Sequence, residues 1–343
     1  MIYNTGGLLL NLDELQFTLK IRKTDIDLIT LCIEKISEYE NPLVCLSGGY
    51  DSQFACLLLK QAGIKFTAVT YESMWGLNLV NAPDVSMARN FCKKHNIEHE
   101  VIQLDFKQFL DNELHLDYAL KYKTSSPQLA FHFYFLEQLN FEDRSIIMGG
   151  DFPYFSWNED TEKITSYLGQ DTSYFINNIV PYLNFSKQNN IKICKDIFYS
   201  SPEIIYKTVE QGVVFSKEHK IMGLSNSRTQ GNYLKELFYN SIIEEKLEPV
   251  LMSLTGFEMI KYHFASITGE YDYFNNTYRS KCMEINYNFY KNTYGIIPDW
   301  SVQRFIQFKI IEGKKIITDL LEDLDEYFRE HDMTLVEHWD IEF

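Results

Sequence analysis

The sequence predicts an α/β protein, a doubly wound parallel sheet followed by a mainly helical C-terminal half. Three observations predict it. Between Pro42 and Asp151, short apolar runs of strand length alternate with segments of helical periodicity. Beyond about Phe152 the strand signal fades while helical patterns continue. The most distinctive polar sequences, Ser47-Gly48-Gly49-Tyr50-Asp51-Ser52, Tyr71-Glu72 and Gly149-Gly150-Asp151, all fall at the carboxyl ends of expected strands, where open α/β sheets bind ligands.

Three regions follow from this pattern. Residues 1–41 form a small lead-in, with short strands expected at Leu8–Leu10 and Phe17–Ile21, a turn at Asn11-Leu12-Asp13 and a helix over Asp25–Tyr39. Residues 42–151 form the α/β core. Its strands are expected at Leu43–Leu46, Lys65–Tyr71, Ile97–Leu104 and Ser145–Met148. Its helices are expected at Asp51–Ala62, closed by Gly63, at Pro83–His95, and from Ser126 as N-cap with Pro127 at the first helical position to about Leu139. Residues 152–343 are expected to be mainly helical and to close over the sheet, with helices at Pro202–Gln211, Asn232–Glu245 and Lys314–Arg329.

Composition narrows the class. The chain has 343 residues, 45% hydrophobic and 23% charged, enough for a substantial core. Its formal net charge of -16 argues against a nucleic-acid partner, whose affinity comes largely from Lys and Arg on phosphates, and favours solubility and a small-molecule or protein partner. The six Cys include no C-x-x-C pair and lie mostly in apolar runs, which suits a reducing, cytoplasmic setting without a disulfide frame. No membrane span is expected, since no apolar run is long enough, and the N-terminus lacks a signal-peptide pattern.

The Ser47–Ser52 segment follows a strand and opens a helix. Gly48 and Gly49 let the backbone turn tightly and leave room for a ligand, the helix N-terminus attracts anions, and Ser47 and Ser52 add hydroxyl donors. A carboxylate at Asp51 is sensible among phosphates if it holds Mg2+. The spacing is neither a Walker A loop nor a G-x-G-x-x-G dinucleotide turn. Ser47-Gly48-Gly49-Tyr50-Asp51-Ser52 resembles in full the S-G-G-x-D-S signature of the PP-loop ATP pyrophosphatases, and the likeness extends over Pro42 to Asp151. The resemblance implies an adenine nucleotide alpha hydrolase-like fold and ATP bound at Leu46, Ser47, Gly48, Gly49, Asp51 and Ser52, with Tyr71 near the adenine and Gly149 at a later strand end. It also implies Asp51 and Asp151 as Mg2+ ligands.

Within that superfamily the sequence is most similar to the synthetase domain of asparagine synthetase. Asn232–Leu237 and Leu254–Phe257 distantly resemble its helical tail, which implies Lys235 as a phosphate-contacting, catalytic lysine beside Asp51 and Asp151. The family turn G-E-G-x-D-E departs from Gly149-Gly150-Asp151, which lacks the glutamate. The function implied is ATP-dependent ligation: an acceptor, first of all a carboxylate, is adenylated with release of pyrophosphate, and an amine or ammonia displaces AMP. Related glutamine-dependent enzymes carry an N-terminal catalytic Cys, whereas Ile2 follows Met1 here. No glutaminase is therefore expected, and the amine is free or is supplied by a partner chain. Two alternatives stand beside this reading: a nucleic-acid base-modifying enzyme, disfavoured by the acidic charge, and a non-enzymatic ATP-binding protein.

Other groupings are read as structural. His95-Asn96-Ile97-Glu98-His99 has H-x-x-E-H spacing, but a helix end at Asn96 would separate the two His. Asp111, Glu113, His115 and Asp117 read as a solvated acidic face. Ser125-Ser126-Pro127 reads as a cap that could also present hydroxyls to a substrate. Met74-Trp75-Gly76 could place a Trp near a ligand or in the core.

Overall fold

A computed structural model of the chain describes residues 2–4, 8–11, 16–19, 22–79, 81–122, 127–149, 155–158, 163–166, 172–218 and 228–249. The expectations at Gly150, Asp151, Ser125, Ser126, Leu254–Phe257 and Lys314–Arg329 fall outside these residues.

The lead-in contains an antiparallel sheet of β1 (Ile2–Asn4), β2 (Leu8–Asn11) and β3 (Gln16–Leu19), in which the Leu10 backbone is in register with Tyr3 on one side and Phe17 on the other. Helix α1 (Leu28–Ile36) starts where the Asp27 carboxylate accepts the Thr30 backbone N–H at 2.9 Å, satisfying one otherwise orphaned donor.

The core runs β4 (Leu43–Cys45), α2 (Tyr50–Gln61), β5 (Thr67–Trp75), β6 (Asn78–Leu79), α3 (Ala82–His95), β7 (Glu98–Asp105), α4 (Phe106–Asp111), α5 (Leu114–Tyr122), α6 (Pro127–Leu136) and β8 (Ile146–Met148). The hairpin β9 (Phe155–Asn158) and β10 (Lys163–Ser166) follows, then α7 (Thr172–Asn189), β11 (Ile193–Cys194), α8 (Pro202–Glu218) and α9 (Arg228–Ile242). Glycine and asparagine punctuate the helices as expected: Gly63 lies past α2 with φ +70°, and Asn96 ends α3 with φ 54°. Glu98 then opens β7, so His95 and His99 do not share a helical face.

Parallel pairing gives the order β11-β8-β4-β5-β7, with β6 folding back antiparallel on the end of β5. Strands β4, β5 and β7 proceed outward in one direction, and the chain then crosses to β8 on the other edge of β4. The strand order therefore reverses beside β4. Alternation sorts the side chains onto two faces. Val44, Leu46, Ala68, Ile147 and Cys194 join one buried cluster with residues of α1, α2, α3, α8 and α9. On the other face α6, apolar nearly all round, packs among aromatic rings, with Phe131 4.3 Å from Phe106 and Phe133 4.7 Å from Tyr122.

Four differences from the sequence reading have local causes. The sheet takes its fifth parallel strand from Ile193–Cys194, beyond the expected 42–151 core. Two residues are too few to show a period. The β9–β10 hairpin likewise interrupts the region expected to be helical. Strand β5 runs on through Met74 and Trp75, because β7 pairs with it as far as Met74 and β6 pairs with Met74 and Trp75. The acidic stretch belongs to α4 and α5. Asp111, Glu113 and Asp117 are exposed, but His115 is buried near Phe109.

Gly149 follows β8 where it meets the first turn of α2. A Cβ there would lie 2.6 Å from the Ser52 nitrogen and 2.7 Å from the Asp51 carbonyl carbon. Both are backbone atoms that cannot swing aside. Gly149→Ala should therefore cost about 1–3 kcal/mol of stability. Urea unfolding should show this as a lower midpoint at unchanged slope, and an unchanged midpoint would mean that the two segments are not in contact.

Candidate nucleotide site

A cavity of about 350 Å³ opens at the carboxyl ends of β4 and β8, against the middle of the longer β5 at Val69–Tyr71 and beside the strand-order reversal. Leu46, Ser47, Asp51, Ser52, Tyr71 and Gly149 all line it, so six of the residues expected at the site from sequence are brought together.

The loop is held by its own hydroxyls. Ser52 Oγ donates to the Gly49 carbonyl at 2.9 Å and accepts the Ser47 N–H at 3.2 Å, while Gly49 N–H donates to Ser47 Oγ at 3.3 Å. Gly49 is the N-cap of α2 and has no side chain with which to cap it, so the positive end of the helix is directed at the cavity mouth. Thr70 Oγ1 donates to the Leu46 carbonyl at 2.6 Å, tying the loop to β5.

Gly48 makes the tight turn expected of it. It does not line the cavity. With φ +82°, its missing Cβ would lie 2.8 Å from the Asp84 carbonyl oxygen and 3.0 Å from the Met87 Cβ. The glycine is needed here for left-handed backbone and for close packing on α3.

Asp51, in the first turn of α2, receives Lys235 Nζ on Oδ2 at 2.9 Å and Tyr239 Oη on Oδ1 at 2.5 Å, both from α9. Tyr50 Oη donates to Glu236 of the same helix at 3.2 Å. Lys235 therefore reaches the loop through the carboxylate, not through the cavity wall. The Asp151 position lies outside the described residues, so its pairing with Asp51 is not part of this geometry.

Several site residues carried no sequence signal. Fully buried Gln53 donates through Nε2 to the Gly48 carbonyl at 2.8 Å and accepts the Glu248 N–H at 2.8 Å, bridging the loop to the segment after α9. Asn81 holds both the Tyr71 carbonyl and the Ser73 N–H of β5. Asp84 adds a second carboxylate to the cavity wall. The wall also includes Tyr71, Leu129, His132, Phe135 and Tyr182, with Tyr71 packed edge-on against Phe131 at 5.6 Å. Burial, with smaller contributions from the charges of Asp84 and Cys45, pushes the Tyr71 phenol up to about 12.

The five described cysteines are not paired, and all have thiols raised by burial, Cys45 and Cys194 to about 12. Such thiols are protonated and unreactive at neutral pH. Among the described residues, no cluster of three or more His, Cys, Asp or Glu is arranged to hold a metal. No helix among them is long and apolar enough to cross a membrane.

No protein-family model matches the chain, and no curated protein matches it. Solved structures do. A predicted subunit of a tRNA methyltransferase from Methanocaldococcus jannaschii is 18% identical, covering 67% of this chain and 89% of its own, with a TM-score of 0.33. NMN synthetase from Francisella tularensis is 14% identical over 66% of this chain and 94% of its own, with a TM-score of 0.30. A U34-tRNA thiolase from Methanococcus maripaludis is 13% identical over 87% of this chain and 79% of its own, with a TM-score of 0.32. These likenesses are distant; strand order and loop geometry define the fold independently of them.

His132 gives the site a pH signature. Burial, reinforced by the Lys195 ammonium, lowers its imidazole to about 3, and its Nδ1 lies 3.0 Å from Tyr182 Oη. The unfolded chain therefore binds a proton near pH 6.5 that the folded chain refuses until about pH 3. This part of the stability is complete above pH 6.5 and is lost as pH falls through that window. His132→Gln should flatten the acid limb of a stability–pH curve by at most one proton, about 1.4 kcal/mol per pH unit. Identical slopes for the two proteins would show that His132 is not held neutral.

Proposed function

We propose that this chain binds ATP with its phosphates at the Ser47–Ser52 loop and cleaves it between the α and β phosphorus atoms, transferring AMP to an acceptor. The observation that carries this reading is the placement of the loop, which joins β4 to the N-terminus of α2 at the strand-order reversal, inside a cavity that ends in an aromatic wall. The loop suits a polyphosphate: the α2 dipole and the Ser47 hydroxyl lie on the cavity, and the Ser52 hydroxyl could exchange its bond to the Gly49 carbonyl for one to a phosphate. Tyr71 and the rings around it offer an apolar wall for a base.

Mg2+ fits the donor set. Asp51 is a hard oxygen donor lining the cavity, and Mg2+ is commonly held by one or two carboxylates together with substrate phosphates, without a preformed all-protein cage. A carboxylate offers about four lone-pair directions and can serve the two α9 donors and a cation together. When bound, the ion would neutralise charge on the pyrophosphate leaving group. The chain's own part is positioning and charge stabilisation. The loop hydroxyls and helix dipole hold the β and γ phosphates, and Lys235, beside Asp51, adds positive charge where the leaving group departs. No Walker lysine is present to serve γ-phosphoryl transfer.

A carboxylate is the first acceptor to test, with an amine or ammonia as the second substrate. One carboxylate oxygen bonds to the α phosphorus as the α–β bond breaks and pyrophosphate leaves. The amine then attacks the acyl carbon and AMP departs with that oxygen. Asp51→Ala should abolish turnover and remove the Mg2+-dependent gain in ATP affinity measured by calorimetry, while unchanged Mg2+-dependent affinity would take Asp51 out of this role.

The position of the cut is read from the products. Candidate acids and amines supplied with ATP should yield AMP and pyrophosphate only when the right acceptor is present. A carboxylate labelled with heavy oxygen should pass one labelled atom to AMP. Stoichiometric ADP and phosphate would refute adenylation even if ATP bound at the loop.

A further inference from the structure

Asp51 is reached from a helix far along the chain by two different kinds of donor. Lys235 and Tyr239 lie four residues apart on α9, hence on one helical face, and each takes a different oxygen of the carboxylate, Oδ2 at 2.9 Å and Oδ1 at 2.5 Å. A lysine ammonium on a four-carbon stem is mobile and can transfer its charge to a phosphate. Tyr239 has no such freedom. It is fully buried, and its ring stacks on Phe54 at 4.6 Å with a 15° tilt and lies 6.1 Å from Phe198, nearly parallel to it. Phe54 belongs to α2, the helix that Asp51 opens. The phenol is therefore fixed by the same core that fixes the loop, and its hydroxyl can go only where the ring directs it.

Resting on the function proposed above, we propose that Tyr239 is the positioning residue for Asp51: its phenol fixes one carboxylate oxygen, and with it the rotamer that presents the carboxylate to the Mg2+ of bound ATP. Hydrogen bonds that orient a metal-binding carboxylate contribute to metal affinity without touching the metal, typically by 10–100-fold. The arrangement divides the work on α9: Lys235 supplies charge, and Tyr239 supplies direction. It also accounts for a buried phenol beside a cavity that it does not line.

The rest of the α9 arm supports a fixed role. Just beyond the helix, Glu245 pairs with Lys60 at 3.1 Å and with His95 at 2.8 Å, and Glu248 pairs with Lys94. Gln53 joins the Glu248 backbone to the Gly48 carbonyl. The arm is thus pinned to α2 and α3 independently of Asp51, so the Tyr239 hydroxyl can be removed without releasing α9.

Tyr239→Phe is the test, because the phenyl ring keeps both stacking partners and only the hydroxyl is lost. The full-length protein is titrated with ATP by calorimetry across a Mg2+ series and, separately, in chelator. The expected result is a 10–100-fold rise in the Mg2+ concentration giving half-maximal enhancement of ATP binding. Binding in chelator should be unchanged, and the thermal midpoint should stay within a few degrees of wild type. An unchanged Mg2+ requirement overturns the proposal. So does an equal loss of ATP affinity with and without Mg2+, which would make Tyr239 merely structural. Wild-type protein that gains no ATP affinity from Mg2+ would instead refute the parent reading, so the two failures are distinguishable. If Tyr239→Phe proves poorly folded, Phe198→Leu perturbs the same stack while keeping the hydroxyl. Because the stack aims the phenol, a rise in Mg2+ requirement with unchanged binding in chelator is expected there, and an unchanged Mg2+ requirement would overturn the proposal.

Discussion

The site is referenced to a strand of three residues. β4 is hydrogen-bonded on both edges, to β5 and to β8, so the position of Cys45 is fixed from two sides before the chain enters the Ser47 loop. The loop cannot move along the sheet without breaking one ladder or the other. The end of β8 is held just as closely, because Gly149 lies against the backbone of Ser52. Parallel strands whose order reverses beside β4 leave a crevice there. The tight approach of Gly149 to α2 and of Gly48 to α3 sets its size. Glycine is required at both places for backbone packing, and the ligand space is what remains between the packed segments.

What the sequence revealed and what it withheld follow from the range of the interactions. Strand–helix alternation, the Gly63 and Asn96 helix ends and the Ser47–Ser52 loop are local patterns, readable within a dozen residues. The Asp51 environment is not local. Tyr239 lies 188 residues away in the chain and Lys235 lies 184 away. Lys235 was reached only by resemblance. Tyr239 was missed because, on an amphipathic helix, it looks like any core aromatic. Gln53 was equally silent, since a buried glutamine between hydrophobic residues shows no period. Strand β11 was missed because two residues carry no alternation. A retrospective signal does exist for Tyr239: a lysine and a tyrosine at i and i+4 place two donors on one helical face.

The packing role of Gly48 was hidden for a similar reason. A glycine-rich turn before a helix is ambiguous between making room for a ligand and making room for the protein. Sequence cannot say which way the missing Cβ would point. Here Gly48 points at Asp84 and Met87 in α3, and Gly149 points at α2, so each glycine joins two elements of the fold. Ser47 and Ser52 line the cavity while their hydroxyls bond within the loop, so the loop's shape is set by those bonds as well as by the glycines.

Electrostatics explain why α9 is needed at all. A chain of net charge -16 presents an unfavourable average field to a polyphosphate, and the cavity wall adds the carboxylates of Asp51 and Asp84. Hydroxyls and a helix dipole contribute partial charges, worth less than a full ammonium at the same distance. Lys235 corrects the local balance only if it is delivered close to Asp51, and delivery from so far along the chain requires an anchored carrier. The aromatic stack of Phe54, Phe198 and Tyr239 on one side of Asp51 and the Gln53–Glu248 bridge beyond it provide that anchorage. The buried phenol and the charged lysine are therefore complementary. Packing sets where α9 lies, and that placement brings the Lys235 ammonium against Asp51 at one part of the wall, while Lys195 stands over the Tyr182 ring at another.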